Sequence, residues 1–397
     1  MVAIGGMIAA RLLSTLTQVL LTHRLGIENF GHYTALYAIL TPIVIAASLG
    51  LDVWLVRQSS DALLVHKNIG RVFSLRLLIC SILMMLAVPF VLTQNSTFTL
   101  LLAVTAALGL ICDLLVTTID SALRAQIRSI AATAIQFGAA SGLLVLIYAF
   151  WYTSSPLLGA VFYRLVVMAA ALLVGSWLIR NALRLRWQPR QWLETVKQAR
   201  VYFLSEILAN ITLKADLTLI ALLVGSTATA LYSPALLLIN TTFLVPNVSA
   251  HIVLPIIVRH RAVSPIYRFV MAVSLVGSLV YGLFWALIFF WKVGWIVDLL
   301  YGQEYVGTIP LLQIMCLIPL LKSFNFCSTT VMIAHDQQVR RTRLQAIGAF
   351  FNLFGNLLML PFFGLIGAAI VNLLTEFILF VAYGYGAWIT WNEENQR

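Results

Sequence analysis

Long apolar runs dominate the chain, and their length most constrains its fold. About 20 consecutive apolar residues cross a bilayer as a helix, the form that satisfies every backbone group in lipid. Hydrophobic residues make up 61% of the 397 residues and charged residues 10%, against roughly 25% charged in a soluble domain. The sequence therefore predicts an all-α polytopic membrane protein with twelve transmembrane helices, at roughly 1–22, 32–56, 72–93, 98–123, 129–152, 156–179, 199–223, 231–257, 267–290, 309–333, 344–361 and 364–389.

Positive charge is concentrated in every second connection between these spans. The connections after even-numbered spans hold most of the arginines and lysines, whereas the others hold little beyond Arg24 and Lys292. Cytoplasmic connections carry such an excess, so the pattern predicts that both termini are cytoplasmic. The formal net charge of +11 then reflects membrane topology, and nucleic acid is not an expected partner.

The longest basic connection, 180–200, follows the sixth span and carries Trp187 and Trp192. Such a composition is typical of a segment at the headgroup level of a membrane, so we interpret it as an amphipathic cytoplasmic linker. The predicted division is a six-helix bundle at 1–179, the linker at 180–198 and a second six-helix bundle at 199–397.

Weak repeats relate the two halves. Gly26 and Tyr33 are seven residues apart, and the same spacing recurs in Gly225 and Tyr232. Because six spans separate the repeats, both halves have the same orientation and are related by a pseudo-two-fold along the membrane normal.

Prolines concentrate in the second half, with Pro234, Pro246 and Pro255 in span eight and Pro319 in span ten. A proline within a helix frees a carbonyl and bends the axis. Two interpretations stay open: bending during a transport cycle, or ordinary kinks that aid packing.

A polar stripe runs through the first apolar run. Arg11 is followed by Ser14, Thr15, Gln18 and Thr22, a spacing that puts all five on one helical face. A cation at membrane depth is unfavourable unless it faces protein or water. The stripe therefore predicts a wet, charged interior.

Other predicted spans also carry charges at depth. Four cations cannot all be neutralised by three carboxylates, which favours a cavity that attracts an anion. The cations are Arg11, Arg164, Lys214 and Lys322, the carboxylates are Asp113, Asp216 and Glu376, and the polar residues expected beside them are Gln18, Asn210, Asn247 and Asn325.

Structural explanations compete with this interpretation. A polar residue taken singly often makes a helix–helix hydrogen bond worth roughly 0.6 kcal/mol, and Arg11 could be the partner of a carboxylate such as Asp113. Asp120 and Arg124 have the i,i+4 spacing of an ion pair. Arg76 lies near enough to the end of span three to extend to the membrane surface.

The sequence contains no catalytic signature of the kind found in soluble enzymes. It has no glycine-rich phosphate loop, no zinc-type His/Cys spacing and no plausible Ser/His/Asp set. The four cysteines, Cys80, Cys112, Cys316 and Cys327, lie in predicted spans without metal-ligand spacing and are interpreted as small buried residues. We expect no catalytic residue, no metal and no cofactor.

Short motifs along the whole chain resemble one family. They are Arg24-Leu25-Gly26, Phe30-Gly31-His32-Tyr33, Gly50-Leu51 with Arg57, Asp216 with Gly225 and Tyr232-Ser233, Leu300-Tyr301-Gly302-Gln303-Glu304-Tyr305, and Asn352 with Pro361, Gly364, Gly367 and Ala368-Ala369. The chain resembles bacterial polysaccharide flippases of the O-antigen or capsule type. These share a superfamily with multidrug and toxin extruders and lipid II flippases. The chain departs from the pattern at Pro234, where an alanine is expected.

The resemblance implies a non-enzymatic transporter of the bacterial inner membrane. It would carry undecaprenyl-pyrophosphate-linked oligosaccharide from the cytoplasmic to the periplasmic leaflet by alternating access. The family's cationic cavity between two bundles would use the four cations above on the diphosphate, and a proton or sodium ion would bind one of the three carboxylates. Expected partners are membrane lipids, a polysaccharide polymerase and a chain-length regulator.

Two other functions stay open. A multidrug extruder is the nearer alternative, although deep cations suit its usually positive substrates poorly. A polytopic polymerase or glycosyltransferase is the other, but such enzymes usually need acidic residues on the outer face, and the first outer connection offers only Glu28.

Overall fold

The computed structural model describes residues 2–57, 62–149, 155–183, 188–259 and 264–395. Among these residues, nine helices are long and apolar enough to cross a membrane, and all regular structure is helical. The prediction of an all-α polytopic membrane fold is confirmed. Trp187 and the end of the predicted fifth span, 150–152, lie outside the described residues.

The helices follow the apolar runs. In the first part of the chain they are α1 Val2–Ser48, α2 Leu51–Arg57, α3 Ala62–Gln94, α4 Leu100–Ala125, α5 Ser129–Ala149, α6 Pro156–Leu178 and α7 Pro189–Leu223. The rest are α8 Ser226–Thr242, α9 Leu244–Arg259, α10 Pro265–Trp291, α11 Val293–Tyr301, α12 Thr308–Ile314, α13 Ile318–Ala334 and α14 Gln338–Asn395, with 3-10 turns at Gln303–Tyr305 and Met315–Leu317.

Two of these helices change direction at a glycine. Gly26 in α1 has φ 69° and Gly364 in α14 has φ 52°, values that glycine adopts without the strain of a Cβ. The segments on either side of each kink correspond to a pair of predicted spans. The described helices are therefore consistent with twelve spans.

Span eight is broken where α8 meets α9. Pro246 cannot donate to the carbonyl of Thr242, four residues earlier, and its ring would clash with that carbonyl. α8 ends at Thr242 and α9 begins at Leu244. The hydroxyl of Tyr281 on α10 donates to the Thr242 carbonyl at 2.8 Å. A hydrogen bond from a neighbouring helix thus satisfies the carbonyl that the proline leaves without its helical donor.

The chain forms two compact units, Met1–Asn210 and Ile211–Arg397, called unit 1 and unit 2. An apolar cluster of unit 1 joins residues of α2 to α7, including Trp54, Ile119 and Trp192. The sequence predicts a linker at 180–198, whereas the start of α7 here groups with unit 1. The two-bundle arrangement itself stays a prediction.

The turn between α1 and α2 holds the start of α7 in place. Gly50 has φ 65°, and a Cβ on it would lie 2.3 Å from the backbone nitrogen of Phe203. A side chain at this position would therefore separate the turn from α7. Gln191 on α7 also accepts a hydrogen bond from Arg71 on α3.

Candidate functional site

The polar stripe of α1 is accessible at its start and buried at its end, where Thr22 is 1% exposed. Arg11 and Gln18 are exposed. The hydroxyls of Ser14, Thr15 and Thr22 donate to carbonyls of their own helix, as serine and threonine often do within helices. Among the residues that the structure describes, Arg11 makes no ion pair. The stripe presents a guanidinium and an amide that can bind a ligand.

Arg164 of α6 pairs with Asp113 of α4. Their Nη2 and Oδ2 atoms are 3.3 Å apart, and the Arg164 guanidinium lies 4.4 Å from the ring centroid of Tyr37. Both charged side chains are partly buried. Asp113 therefore has a structural partner, and that partner is not Arg11.

Lys322 of α13 pairs with Glu376 of α14. The Lys322 Nζ lies 2.6 Å from Glu376 Oε1, and Asn325 Nδ2 donates to Oε2 at 3.0 Å. The Lys322 ammonium also lies 5.5 Å from the ring centroid of Phe243. Both oxygens of the buried carboxylate thus have a partner, and Asn325 takes part in this pairing.

Asp216 of α7 lies in a different environment. It is 1% exposed, and its Oδ2 accepts hydrogen bonds from the Tyr232 hydroxyl at 2.8 Å and from Asn372 Nδ2 at 3.1 Å. Its Oδ1 accepts from the Leu217 backbone N–H at 2.7 Å. Among the described residues Asp216 is in no ion pair. The donors that the structure describes on this carboxylate are all neutral.

The remaining candidates are scattered. Lys214 is exposed two residues before Asp216, and Asn247 is exposed on α9. Asn210 is half-buried and donates to the Glu206 carbonyl of its own helix. The structure therefore brings Asn325 and Lys322 to Glu376 and Arg164 to Asp113. It leaves Arg11 and Gln18 together on α1.

Arg76 does not lie where its position in the sequence predicts. The prediction that its side chain extends to the membrane surface is wrong, because Arg76 is fully buried. Its Nη1 donates to Asp52 Oδ1 at 2.7 Å and to the Thr118 hydroxyl at 2.8 Å. Its Nε and Nη2 both donate to the Ser48 carbonyl. Ser121 donates to the same Asp52 oxygen. The buried Ser48, Arg76, Thr118 and Ser121 and the partly exposed Asp52 form what we call the Arg76 network.

The helical ion pair of α4 is as predicted. Arg124 Nε lies 2.6 Å from Asp120 Oδ2, and Gln136 of α5 donates to Asp120 Oδ1 at 3.0 Å. The pair is a local contact between α4 and α5, and both of its charges are engaged. It adds no accessible cation.

Comparison with known proteins identifies the family. A family model described as "Polysaccharide biosynthesis protein" matches residues 1–261. This chain belongs to that family. An uncharacterized membrane protein of Methanocaldococcus jannaschii is 31% identical over 86 residues, which cover 22% of this chain and only 17% of that protein.

Solved structures share the fold along nearly the whole chain. An inward-facing multidrug resistance MATE family transporter of the MOP superfamily has a TM-score of 0.74 at 14% sequence identity, and the match covers 96% of this chain and 95% of the transporter. The lipid II flippase MurJ, in an inward closed conformation, has a TM-score of 0.75 at 13% identity, and the match covers 95% of this chain and 85% of the flippase. A MOP superfamily transporter from Pyrococcus furiosus has a TM-score of 0.61 at 14% identity, and the match covers 98% of this chain and 95% of that transporter. These likenesses identify the fold, and with the family they confirm the resemblance to polysaccharide flippases.

Proposed function

We propose that this protein translocates undecaprenyl-pyrophosphate-linked oligosaccharide from the cytoplasmic to the periplasmic leaflet of a bacterial inner membrane, by alternating access. The family supports a membrane transporter in polysaccharide biosynthesis. A transporter of this class must bind an anionic diphosphate and sugars within the membrane.

The accessible guanidinium of Arg11 is the observation that carries the proposal. Arg164 and Lys322 are each engaged by a carboxylate, whereas Arg11 is exposed on an apolar helix and makes no ion pair within the described part of the chain. A guanidinium binds phosphate oxygens through paired N–H donors. Gln18, two turns away on the same face, suits a sugar hydroxyl.

Asp216 is the proposed site of ion coupling. Asp113 and Glu376 already have cationic partners, whereas the groups that bond to Asp216 within the described part of the chain are neutral. An intramembrane carboxylate without a counter-ion is a candidate to bind a proton or a sodium ion. Conversion of Asp216 to asparagine should then remove the dependence of transport on the ion gradient.

A reconstituted system tests the function directly. Proteoliposomes would contain lipid-linked oligosaccharide with a fluorescent sugar, and a membrane-impermeant quencher would report which leaflet holds it. We expect exchange between leaflets at least about tenfold faster than in protein-free vesicles, which corresponds to about 1.4 kcal/mol of barrier.

Other outcomes would replace the proposal. Transport of a cationic dye without movement of the lipid would identify a multidrug exporter. Lengthening of the sugar chain would identify a polymerase or glycosyltransferase. A protein that folds and inserts but moves neither substrate would contradict the proposal as well.

A further inference from the structure

The start of α7 carries a carboxyl group that has no role in the proposed transport cycle. Glu206 lies three residues after Phe203, whose backbone packs against the turn at Gly50. Residues three apart share one face of a helix, so Glu206 lies on the side of α7 that faces this turn. Its carboxyl group interacts with the Ser48 side chain and with the backbone N–H of Gly50. Glu206 is therefore part of the contact that docks the start of α7 in unit 1.

The charges around Glu206 do not balance. Among the described residues, the charged groups that act on its carboxyl are Asp52 of α2 and Arg76 of α3. Arg76 is already paired with Asp52 at 2.7 Å, and its other hydrogen bonds go to the Ser48 carbonyl and the Thr118 hydroxyl. Glu206 makes no ion pair within the part of the chain that the structure describes. An ionised Glu206 would therefore add a second negative charge beside a single cation.

The bonding of this carboxyl group also favours its neutral form. The Oε2 atom of Glu206 is buried and has no hydrogen-bond partner among the described residues. A buried carboxylate oxygen without a donor is unfavourable, and a second carboxylate nearby adds repulsion. The Ser48 hydroxyl donates to the Ile45 carbonyl at 2.8 Å, so its oxygen can accept a hydrogen bond from a protonated carboxyl. A proton on Glu206 thus removes the excess charge and supplies a donor.

We propose that Glu206 holds a proton while the start of α7 is docked against the turn at Gly50, and that loss of this proton loosens the docking. The site lies in unit 1 and is separate from Asp216, which belongs to unit 2. Its ligand is a proton, and a sodium ion is the competing occupant.

Close packing explains why ionisation would move the helix. A Cβ on Gly50 would lie 2.3 Å from the Phe203 backbone nitrogen, so no water fits between the two backbones to screen an ionised Glu206 from Asp52. Repulsion is then relieved only when α7 moves away from the turn. The docked state binds one proton more than the released state, so docking is complete at low pH and is lost as the pH rises.

Cysteine accessibility measures the docking in the full-length protein. Ala199, on the inner side of α7, is fully buried, whereas Gln198 beside it is exposed. Each would be changed to cysteine in a protein whose four native cysteines are replaced by alanine, and both variants would be reconstituted in vesicles and labelled with a maleimide. The ratio of the two labelling rates, buried position over exposed position, cancels the effect of pH on thiol reactivity.

The expected result is a rise of this ratio with pH. One proton changes an equilibrium by up to about tenfold per pH unit. Between about pH 6 and about pH 9, a range that covers the titration of buried glutamates, the ratio should therefore increase about tenfold or more.

Two amide substitutions test whether Glu206 is responsible. Glu206→Gln is neutral at every pH and keeps an N–H donor for Ser48, so its ratio should stay low throughout. Glu194→Gln removes an exposed carboxylate from the same helix and is the matched control, which should keep the full response to pH. Membrane insertion and the thermal midpoint of each variant would be measured in parallel.

Several outcomes overturn the proposal. They are a ratio that does not rise with pH when Glu206 is present, an equal rise in Glu206→Gln, and a ratio that follows the sodium concentration at fixed pH. These readouts do not depend on the transported substrate, so the docking proposal and the proposed function fail separately.

Infrared spectroscopy of the wild-type protein decides the question if Glu206→Gln does not insert. With isotopically labelled glutamate, a protonated carboxyl has a C=O band that an ionised one lacks. Because Glu376 is paired with Lys322, we expect Glu206 to give such a band at neutral pH and to lose it as the pH rises. Absence of the band at neutral pH overturns the proposal.

Discussion

Arg11 and Arg76 are both arginines within membrane-spanning helices of unit 1, and their surroundings are opposite. Arg76 is fully buried and bonds to Ser48, Asp52 and Thr118. Arg11 is exposed on α1. A charge within a membrane-spanning helix is energetically unfavourable. For Arg76 a carboxylate and neutral acceptors offset this penalty, whereas Arg11 reduces it by remaining exposed. A deep cation can therefore stabilise the fold or remain accessible to a ligand, and its neighbours decide which.

Loss of Arg76 should have the largest effect. Arg76→Ala leaves the Asp52 carboxylate without its cation. Because that carboxylate is 27% exposed, we expect the destabilisation to lie at the lower end of the roughly 3–5 kcal/mol that breaking a buried pair costs. We expect little membrane-inserted protein and a much lower thermal midpoint in detergent. Arg268→Ala, which removes an exposed arginine of unit 2, is the control and should insert normally.

A second change tests whether the charge itself is responsible. Combining Arg76→Leu with Asp52→Asn removes both charges and should recover part of the stability that Arg76→Ala loses. No recovery would mean that the Arg76 network stabilises unit 1 by its shape and hydrogen bonds rather than by neutralising Asp52.

Loss of Arg11 should affect transport and leave folding intact. Arg11→Ala should insert like the wild type and lose most leaflet exchange, about tenfold or more, since a charged hydrogen bond contributes about 1.5–3 kcal/mol. Arg11→Lys should retain part of the activity because it keeps the charge but not the paired donors. Lys292→Ala, an exposed lysine at the end of α10, is the control. Full activity of Arg11→Ala would remove the basis for placing the diphosphate on α1.

Asp113→Asn should lower stability less than the loss of Arg76 does. Its ion pair with Arg164 is partly exposed, so the loss should stay within about 1 kcal/mol. Because Asp113 is held by Arg164, adding Asp113→Asn to Arg11→Ala should not restore activity or change insertion. The thermal midpoint and leaflet exchange of the double variant measure this. A rescue would show that Arg11 and Asp113 are partners during the cycle.

The smallest difference is expected from two serines. Ser121→Ala removes one hydrogen bond to Asp52 and should lower stability by about 0.6 kcal/mol, the average for such bonds in a membrane protein. Ser14→Ala removes a bond to its own helix on the Arg11 face and should leave the thermal midpoint unchanged. Equal changes in the thermal midpoint would mean that the hydrogen bonds around Arg76 contribute no more to stability than those around Arg11.

Much of the fold follows from the sequence because the bilayer allows few alternatives. The apolar runs are long enough to define helices without knowledge of their neighbours. The glycines of the repeated and terminal motifs, Gly26 and Gly364, also lie where the helices turn. The prolines predict the bend in span eight, since their effect acts on a carbonyl four residues away.

The partners of the charged residues could not be predicted in the same way. Arg76 bonds to groups 24, 28 and 42 residues away, and no helical periodicity relates residues in separate helices. The pairing of Arg164 with Asp113 spans 51 residues. The sequence therefore gives the excess of cations over carboxylates, but packing of the helices decides which cations are engaged. The roles of the candidate residues in transport remain predictions.

The docking of α7 beside Gly50 has a consequence for biosynthesis. The first unit includes Trp192 in its apolar core and needs the backbone at Phe203 against the turn at Gly50, so α1 to α6 alone do not complete it. During translation, unit 1 can complete its folding only after the start of α7 has left the ribosome. A gene cut within 184–187 would separate α1 to α6 from the part of unit 1 that completes its core, and the two fragments would have to be made together to yield a folded protein.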